Sequence, residues 1–381
     1  MGARADSRFR PGVACGPESG AQEDHLLNSI LSQYLMRTIL AGTALVLIVL
    51  LALAGLFEFI AELEDTRGDY QTPQAILFIA LRLPNLAFEM LPVAVLIGSL
   101  LGLGGIAANS EIIVMRSAGL SVMQLARMVG VSGFVLLVLT GLLGEFIGPP
   151  LDFYARNMRT EARYQKEDDR LGNRAWVKDG NTFLHLERVS TEFEFGTIYV
   201  YRFDDDYRLT AIAQAENSGI DEEDNWILER LRETEFRDDG VQVVETDLAV
   251  ESFEVDAELL GNALAKPLSL SARGLLGYID YLKRNQLDET PYVTELWYRV
   301  ARTLSVLVMP ILSLAFVFGS VRTGGAGGRL MIGVGIGLAY YLVNETVANS
   351  GQVFDLNPVI ITFLPTLALI LITAIALARV R

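Results

Sequence analysis

The feature that most constrains this chain is the number and spacing of its apolar runs. Three precede residue 150 and three follow residue 295, at about Leu35–Ala61, Ile76–Ala107, Leu125–Ile147, Val300–Val321, Leu330–Val347 and Val359–Ala378. A bilayer-crossing helix needs roughly 20 mostly apolar residues, because the hydrocarbon layer is about 30 Å thick and each residue rises about 1.5 Å. Each run reaches or approaches that length. Six such runs cannot all be core helices of one water-soluble domain, so the expectation is an α-helical membrane protein with six transmembrane helices. Pro84 and Pro92 interrupt the second run, and the part before Pro84 is expected to lie along the interface. Gly148-Pro149-Pro150 is expected to stop the third.

Between the two sets of runs the charge changes. Residues 150–295 hold 32 of the 46 acidic and 17 of the 31 basic residues, a net of −15, while the remainder holds 14 of each and is neutral. An acidic, solvated insert argues against nucleic-acid binding. One set of loops and ends outside it carries Arg37, Arg116, Arg127, Arg322, Arg329, Arg379 and Arg381. Positive loops stay in the cytoplasm, so both termini are expected there and the insert on the opposite side. Residues 1–27 read as a disordered extension or leader. The single cysteine, Cys15, lies in it, so no disulfide can form within the chain.

Inside the insert the period changes to two. Strands are expected at Arg174–Val177, Asn181–Val189, Thr197–Phe203, Leu209–Asn217, Trp226–Thr234 and Gln242–Phe253, separated by Asp/Gly/Asn turns. This pattern suggests a sandwich or half-open barrel. Beyond it, Leu275, Leu276, Ile279 and Leu282 recur at helical spacing and lead back to the fourth run. The domains are then 1–27, 28–149, the insert and return segment 150–295, and 296–381.

Few motifs carry chemistry. The two histidines, His25 and His185, have no Cys or His at metal-ligand spacing, so no metal site is expected. No nucleophile elbow or His-Glu-x-x-His occurs, and no catalytic set is expected. The Gly-rich Thr323–Arg329 segment lacks the Gly-Lys-Ser/Thr of a phosphate loop and reads as a cytoplasmic turn. Gly98 and Gly102, Gly141 and Gly144, and Gly333 and Gly337 place small residues on helix faces and permit close packing. The segment Asn109–Ser121 reads as a short amphipathic cytoplasmic helix of about 109–120, capped by Ser110, with Glu111 in its first turn and Gly119 at its end. Glu58, Arg82, Glu89, Glu145, Arg299, Arg302 and Glu345 fall within or beside the runs. Most lie near run ends, where snorkelling accounts for them. Glu345 is the one expected to serve function or helix pairing.

With these parts placed, the chain resembles the LptF/LptG family of lipopolysaccharide export permeases, and its LptG branch more than its LptF branch. The resemblance rests on Ser110–Gly119, Gly144-Glu145-Phe146-Ile147-Gly148-Pro149, Trp176–Asn181, Tyr278–Lys283, Leu314–Gly319 and Tyr340–Asn344. It implies that the insert is a periplasmic β-jellyroll and that the chain is one permease of a pair in the Gram-negative inner membrane. The partners it implies are an LptF-type permease, two LptB-type ATPase subunits, LptC, and LptA reached through an LptC/LptF bridge. ATP and Mg would be bound by the ATPase and no cofactor by this chain. Ser110, Glu111, Met115, Arg116 and Gly119 are the implied ATPase-coupling residues. Phe57, Glu58, Arg67, Arg82, Tyr340 and Glu345 are the lipid-cavity candidates. Phe183, Ile198, Val200 and Ile212 are the candidates for an acyl-chain groove in the insert. The outer end of the first run departs from a basic phosphate site, reading Glu58, Glu62, Glu64 and Asp65 with only Arg67 basic. Readings from other classes are a membrane-anchored periplasmic lipid-modifying enzyme and a scaffold that moves no substrate.

Overall fold

The computed structural model describes residues 17–64, 70–164, 174–187, 194–221, 224–237, 239–264, 267–318, 326–353 and 356–379. Arg67, the end of the fourth run at Val321, and Thr323-Gly324-Gly325 lie outside them. The order is α1 (Pro17–Glu64), α2 (Thr72–Ala108), α3 (Glu111–Ser117), α4 (Val122–Leu142), a π turn (Leu143–Ile147) and α5 (Gly148–Tyr164). Six strands follow: β1 (Ala175–Asp179), β2 (Thr182–Leu186), β3 (Glu194–Phe203), β4 (Leu209–Ile220), β5 (Trp226–Arg237) and β6 (Gly240–Glu251). The chain returns through α6 (Ala257–Leu264), a 3-10 turn (Pro267–Ser269), α7 (Ala272–Arg284), α8 (Thr290–Phe318), α9 (Ala326–Val353) and α10 (Pro358–Arg379).

Among the described residues, five stretches are long and apolar enough to cross a membrane: Ile30–Glu64, Thr72–Ala108, Val122–Arg159, Thr290–Phe318 and Pro358–Arg379. The chain is a multi-pass membrane protein. The run expected as the fifth span lies in α9, which has 28 residues but is not among those five. The first helix extends back to Pro17, into the segment expected as a leader.

Two sequence breakers do not break helices. Pro84 and Pro92 both stand inside a continuous α2, so no separate interfacial piece precedes Pro84. Gly148-Pro149-Pro150 opens α5 instead of ending the third span. Proline is tolerated in a first helical turn, where its missing N–H has no partner to lose. The π turn supplies the register change. Gly148 N–H bonds back to the Leu143 carbonyl, five residues earlier. The next such donor would be Pro149, which has no N–H to offer the Gly144 carbonyl. The Arg299 guanidinium from α8 takes that carbonyl at 3.2 Å.

Small residues set the crossing of α1 and α2. A Cβ added at Gly98 would lie 2.4 Å from the Thr43 backbone nitrogen, and one at Gly42 would lie 2.5 Å from the Gly98 carbonyl oxygen. Gly102 meets Thr38 at 3.0 Å. Leu35, Ile39, Leu96, Leu100, Leu103, Leu125, Val129, Val306 and Met309 then form one buried core across the helices. The outward faces of α1, α9 and α10 stay apolar and exposed, as at Ile48, Leu53, Met331, Leu338, Ile360 and Leu371.

The insert is all antiparallel, in one sheet of order β1-β2-β3-β4-β5-β6. All six strands arise where the period-two segments predict them. Every neighbour in the sheet is also a neighbour in sequence, so the described strands form a meander rather than two packed sheets. The register places Val200 opposite Leu184 and Ala213, and Tyr201 opposite Phe183 and Ile212. Val177, Leu184, Leu186, Ile198, Val200, Ala213 and Ala215 therefore share one face. They form a buried cluster with Trp226, with Leu260 of α6 and with Tyr278, Tyr281 and Leu282 of α7. The Trp226 indole N–H donates to the Val255 carbonyl at 2.8 Å, which satisfies its one polar atom in this core.

Candidate functional site

The short helix α3 stands between two spans, and its ends are closely held. Gly119, at φ +97°, ends it in a left-handed turn. Gly119 N–H donates to the Arg116 carbonyl and Leu120 N–H to the Met115 carbonyl, the paired bonds of a Schellman end. Ser110 does not cap the start with its side chain. It adopts φ 61°, and its carbonyl instead accepts from Ile113 and Val114. The first-turn carboxylate of Glu111 is engaged on both oxygens, by the Tyr34 hydroxyl at 2.8 Å and the Asn109 amide at 3.3 Å. Glu111 thus ties α3 to α1.

The two faces of α3 differ in a way the sequence did not resolve. Ile112 and Met115 are buried in the helical core, so Met115 faces inward and not toward a docking partner. Ile113 and Val114 point outward, the latter 65% exposed. Arg116 is also exposed, with its guanidinium 5.8 Å from the Phe318 ring. What α3 offers outward is a pair of apolar knobs beside one cation. The residues that the resemblance implies for coupling did not include Ile113 and Val114. A sharper signal was four consecutive apolar residues, 112–115, on a seven-residue helix, which cannot all be buried.

The lipid-cavity candidates separate into two groups. At one end of the helical domain, Arg82 of α2 donates to Glu58 of α1 at 2.8 Å and to Asp152 of α5 at 2.9 Å. Arg156 takes the second Asp152 oxygen at 2.7 Å, and Arg159 pairs with Glu62 at 2.6 Å. Asp152 is fully buried. The Phe78 ring lies between the guanidinium groups of Arg82 and Arg159. Phe57, next to Glu58, is 64% exposed. This network clamps α1, α2 and α5 together. The second group belongs to α8 and α9. Tyr340 is buried in the main core, and Glu345 is exposed beside the Tyr298 hydroxyl at 3.4 Å.

Snorkelling does not account for the arginines of α8. Arg299 and Arg302 are both buried. Arg299 pairs with Glu295 at 3.2 Å, and Arg302 lies 4.3 Å over the Tyr298 ring and 5.5 Å from Phe88. Burying a guanidinium without partners costs several kcal/mol, so carboxylate, carbonyl and aromatic contacts here replace water.

The four groove candidates of the insert do not share a face. Ile198 and Val200 are buried under α6 and α7 in the chain's own core. Phe183 and Ile212 lie on the opposite face, half-buried. There Phe183 meets Phe203 edge-on at 5.5 Å, and Trp176, His185 and Tyr199 stack in a row across β1, β2 and β3. The open edge β6 adds exposed Val241, Val243, Leu248 and Val250 to that same face. Burial also pushes the Tyr281 phenol upward in pKa, so it stays neutral and both accepts from Lys178 N–H and donates to the Lys178 carbonyl.

Comparison with known proteins agrees with this arrangement. Residues 33–379 match the family model described as lipopolysaccharide export system permease LptF/LptG. The chain is 29% identical over 355 residues to the lipopolysaccharide export system permease protein LptG of Haemophilus influenzae, covering 92% of this chain and 99% of that one. It is 30% identical over 353 residues to the LptG protein of Escherichia coli strain K12, covering 92% and 98%. A match that runs from the first span to the last takes in the helices, α3 and the inserted sheet together, and on it the chain belongs to the LptF/LptG family of lipopolysaccharide export permeases, with LptG-like character.

Proposed function

We propose that this chain is the LptG-type permease of an ATP-driven exporter that draws lipopolysaccharide out of the Gram-negative inner membrane. It pairs with an LptF-type permease, and two LptB-type ATPase subunits dock on the cytoplasmic side. The ATPase binds ATP and Mg, and this chain contributes no catalytic group. The observation that carries the reading is α3. It is a seven-residue helix held by Glu111 and a Schellman end, and it presents Ile113, Val114 and Arg116 away from the membrane core. Such a rigid apolar knob suits a groove on a moving partner.

The lipid enters a cavity between the two permeases, bounded on this side by α1 and α9, whose outward faces are apolar. It then passes along the periplasmic insert toward LptC and LptA. The exposed aromatic and valine face of the sheet, not the face covered by α6 and α7, is the surface on which acyl chains travel. α9 completes six spans, and both termini lie in the cytoplasm. Beside the outer end of α1, Arg82 of α2 and Arg156 and Arg159 of α5 are held in ion pairs with Glu58, Glu62 and Asp152, so lipid phosphates meet this chain through bridging divalent cations. Depleting the chain in its host should stop new lipopolysaccharide from reaching the outer membrane while its synthesis continues. Normal delivery after depletion, or turnover of a lipid by the purified chain alone, would contradict the proposal.

A further inference from the structure

Helix α7 bridges the π turn of the third span and the inserted sheet. The N-terminal end of α7 is built from two separate parts of the chain. Glu145, inside the π turn, accepts from Ala272 N–H at 2.7 Å and from Arg273 N–H at 3.2 Å. Ser271 accepts from Gly274 N–H through its hydroxyl at 3.0 Å and from Leu275 N–H through its carbonyl at 2.9 Å. Three N–H groups that a helix start leaves without intrahelical partners, those of Ala272, Arg273 and Gly274, are thereby satisfied, two of them by a carboxylate placed where the helix dipole favours negative charge. Without the π turn the geometry of the third span around Glu145 would differ, because one extra residue is held in that turn.

The C-terminal end of α7 is held as firmly by the sheet. Tyr281 brackets Lys178 of β1 with two hydrogen bonds. The Asn285 side chain accepts from Gly180 N–H at 2.8 Å, and its carbonyl accepts from the Lys178 ammonium at 2.9 Å. Gly180 sits at φ +55° in the tight turn between β1 and β2. Between its ends α7 packs Tyr278, Tyr281 and Leu282 into the sheet core, and Leu275 and Ile279 against Val293 and Leu296 of α8. Thirteen residues of helix make a strut of about 20 Å. The π turn also meets α2, since a Cβ at Gly144 would come within 2.5 Å of the Phe88 ring, and α8, through Arg299.

We infer that Glu145 is a positioning residue for transport: it fastens α7 to the third span, so that a shift of that span moves the β1–β2 hairpin and with it the sheet that receives lipid. This rests on the transport reading above. The junction has the parts such a role requires. It has a charged contact that crosses between domains, a stiff element, and a second anchor at the far end. Ser271 is the internal control, because it caps the same helix start through bonds to Gly274 and Leu275 of α7 itself.

The test uses the whole complex of both permeases and the ATPase in proteoliposomes loaded with lipopolysaccharide. A photo-crosslinking residue replaces Tyr201 on the open face of the sheet, and ATP hydrolysis is measured in the same samples. Glu145→Ala should lower ATP-dependent crosslinking at the sheet at least tenfold, with ATP hydrolysis and the amount of assembled complex within twofold of the parent. Glu145→Gln, which keeps one acceptor oxygen, should give an intermediate loss. Ser271→Ala should leave crosslinking within twofold. Full crosslinking in Glu145→Ala would overturn the inference. So would a parallel fall of crosslinking, hydrolysis and assembly, or an equal loss in Ser271→Ala, because each marks a folding effect. Absence of ATP-dependent crosslinking in the parent complex would instead overturn the transport reading itself.

Discussion

At the scale of single residues, the ionised groups inside the helical domain are fixed by long-range partners. Asp152 is buried with one oxygen on Arg82 and the other on Arg156, while Glu58 is partly open to solvent. Removing one member of a buried pair leaves the other uncompensated, so Asp152→Asn should lower stability by about 3–5 kcal/mol. Glu58→Gln should cost only about 1 kcal/mol or less, because Arg82 retains Asp152 and solvent screens the lost pair. Thermal unfolding of the detergent-solubilised protein, followed by tryptophan fluorescence, compares the two. Equal midpoints would show that Asp152 is not the centre of the clamp. These pairings were illegible in the sequence. It showed charges near span ends, but Arg82 and Asp152 stand 70 positions apart, and only packing of α5 on α2 brings them together.

At the scale of elements, the α1–α2 crossing makes a sharp test of helix packing. Gly98→Ala forces a methyl group against the backbone of Thr43 and should destabilise by roughly 1–3 kcal/mol, the usual penalty of overpacking. Gly105→Ala meets nothing within 4 Å and should be neutral or slightly stabilising, since alanine favours helix. A common loss in both variants, measured as the unfolding midpoint, would point to a general helix effect instead. On α3, Val114→Asp places a carboxylate on the exposed knob. It should leave insertion and the unfolding midpoint unchanged while reducing ATPase co-purification at least tenfold; undiminished co-purification would remove Val114 from the docking surface.

Strands, five of the six expected spans and α3 were readable because each has a strong period or a strong end signal, such as Gly119. The groove was not. Alternation told that Ile198 and Val200 share a face, but not that α6 and α7 return to cover that face. Nor did the sequence tell that Phe183 and Ile212 belong to the other face, which depends on the register between strands. Helix continuity was misjudged at Pro84, Pro92 and Gly148-Pro149-Pro150. At the third span Arg299 of α8 takes the Gly144 carbonyl, and a breaker rule applied to local sequence has no access to such a partner.

At the scale of the whole molecule, clamped helices join the short helix α3 to the inserted sheet, and the proposed function places α3 on the cytoplasmic side. The orientation that this requires is checked by labelling. With Cys15→Ser as background, Asp205→Cys should react with a membrane-impermeant thiol reagent added to spheroplasts, and Thr323→Cys should not; reversed labelling would invert the topology. The most direct measurement of the central claim is ATP-dependent release of lipopolysaccharide from proteoliposomes to a soluble periplasmic acceptor. The complex containing this chain should release lipid only with ATP. Glu111→Arg should abolish release and ATPase association without loss of membrane insertion, because it removes the bonds to Tyr34 and Asn109 that hold α3 and reverses the charge in its first turn. Release that proceeds without this chain, or unchanged in the Glu111→Arg complex, would contradict the account.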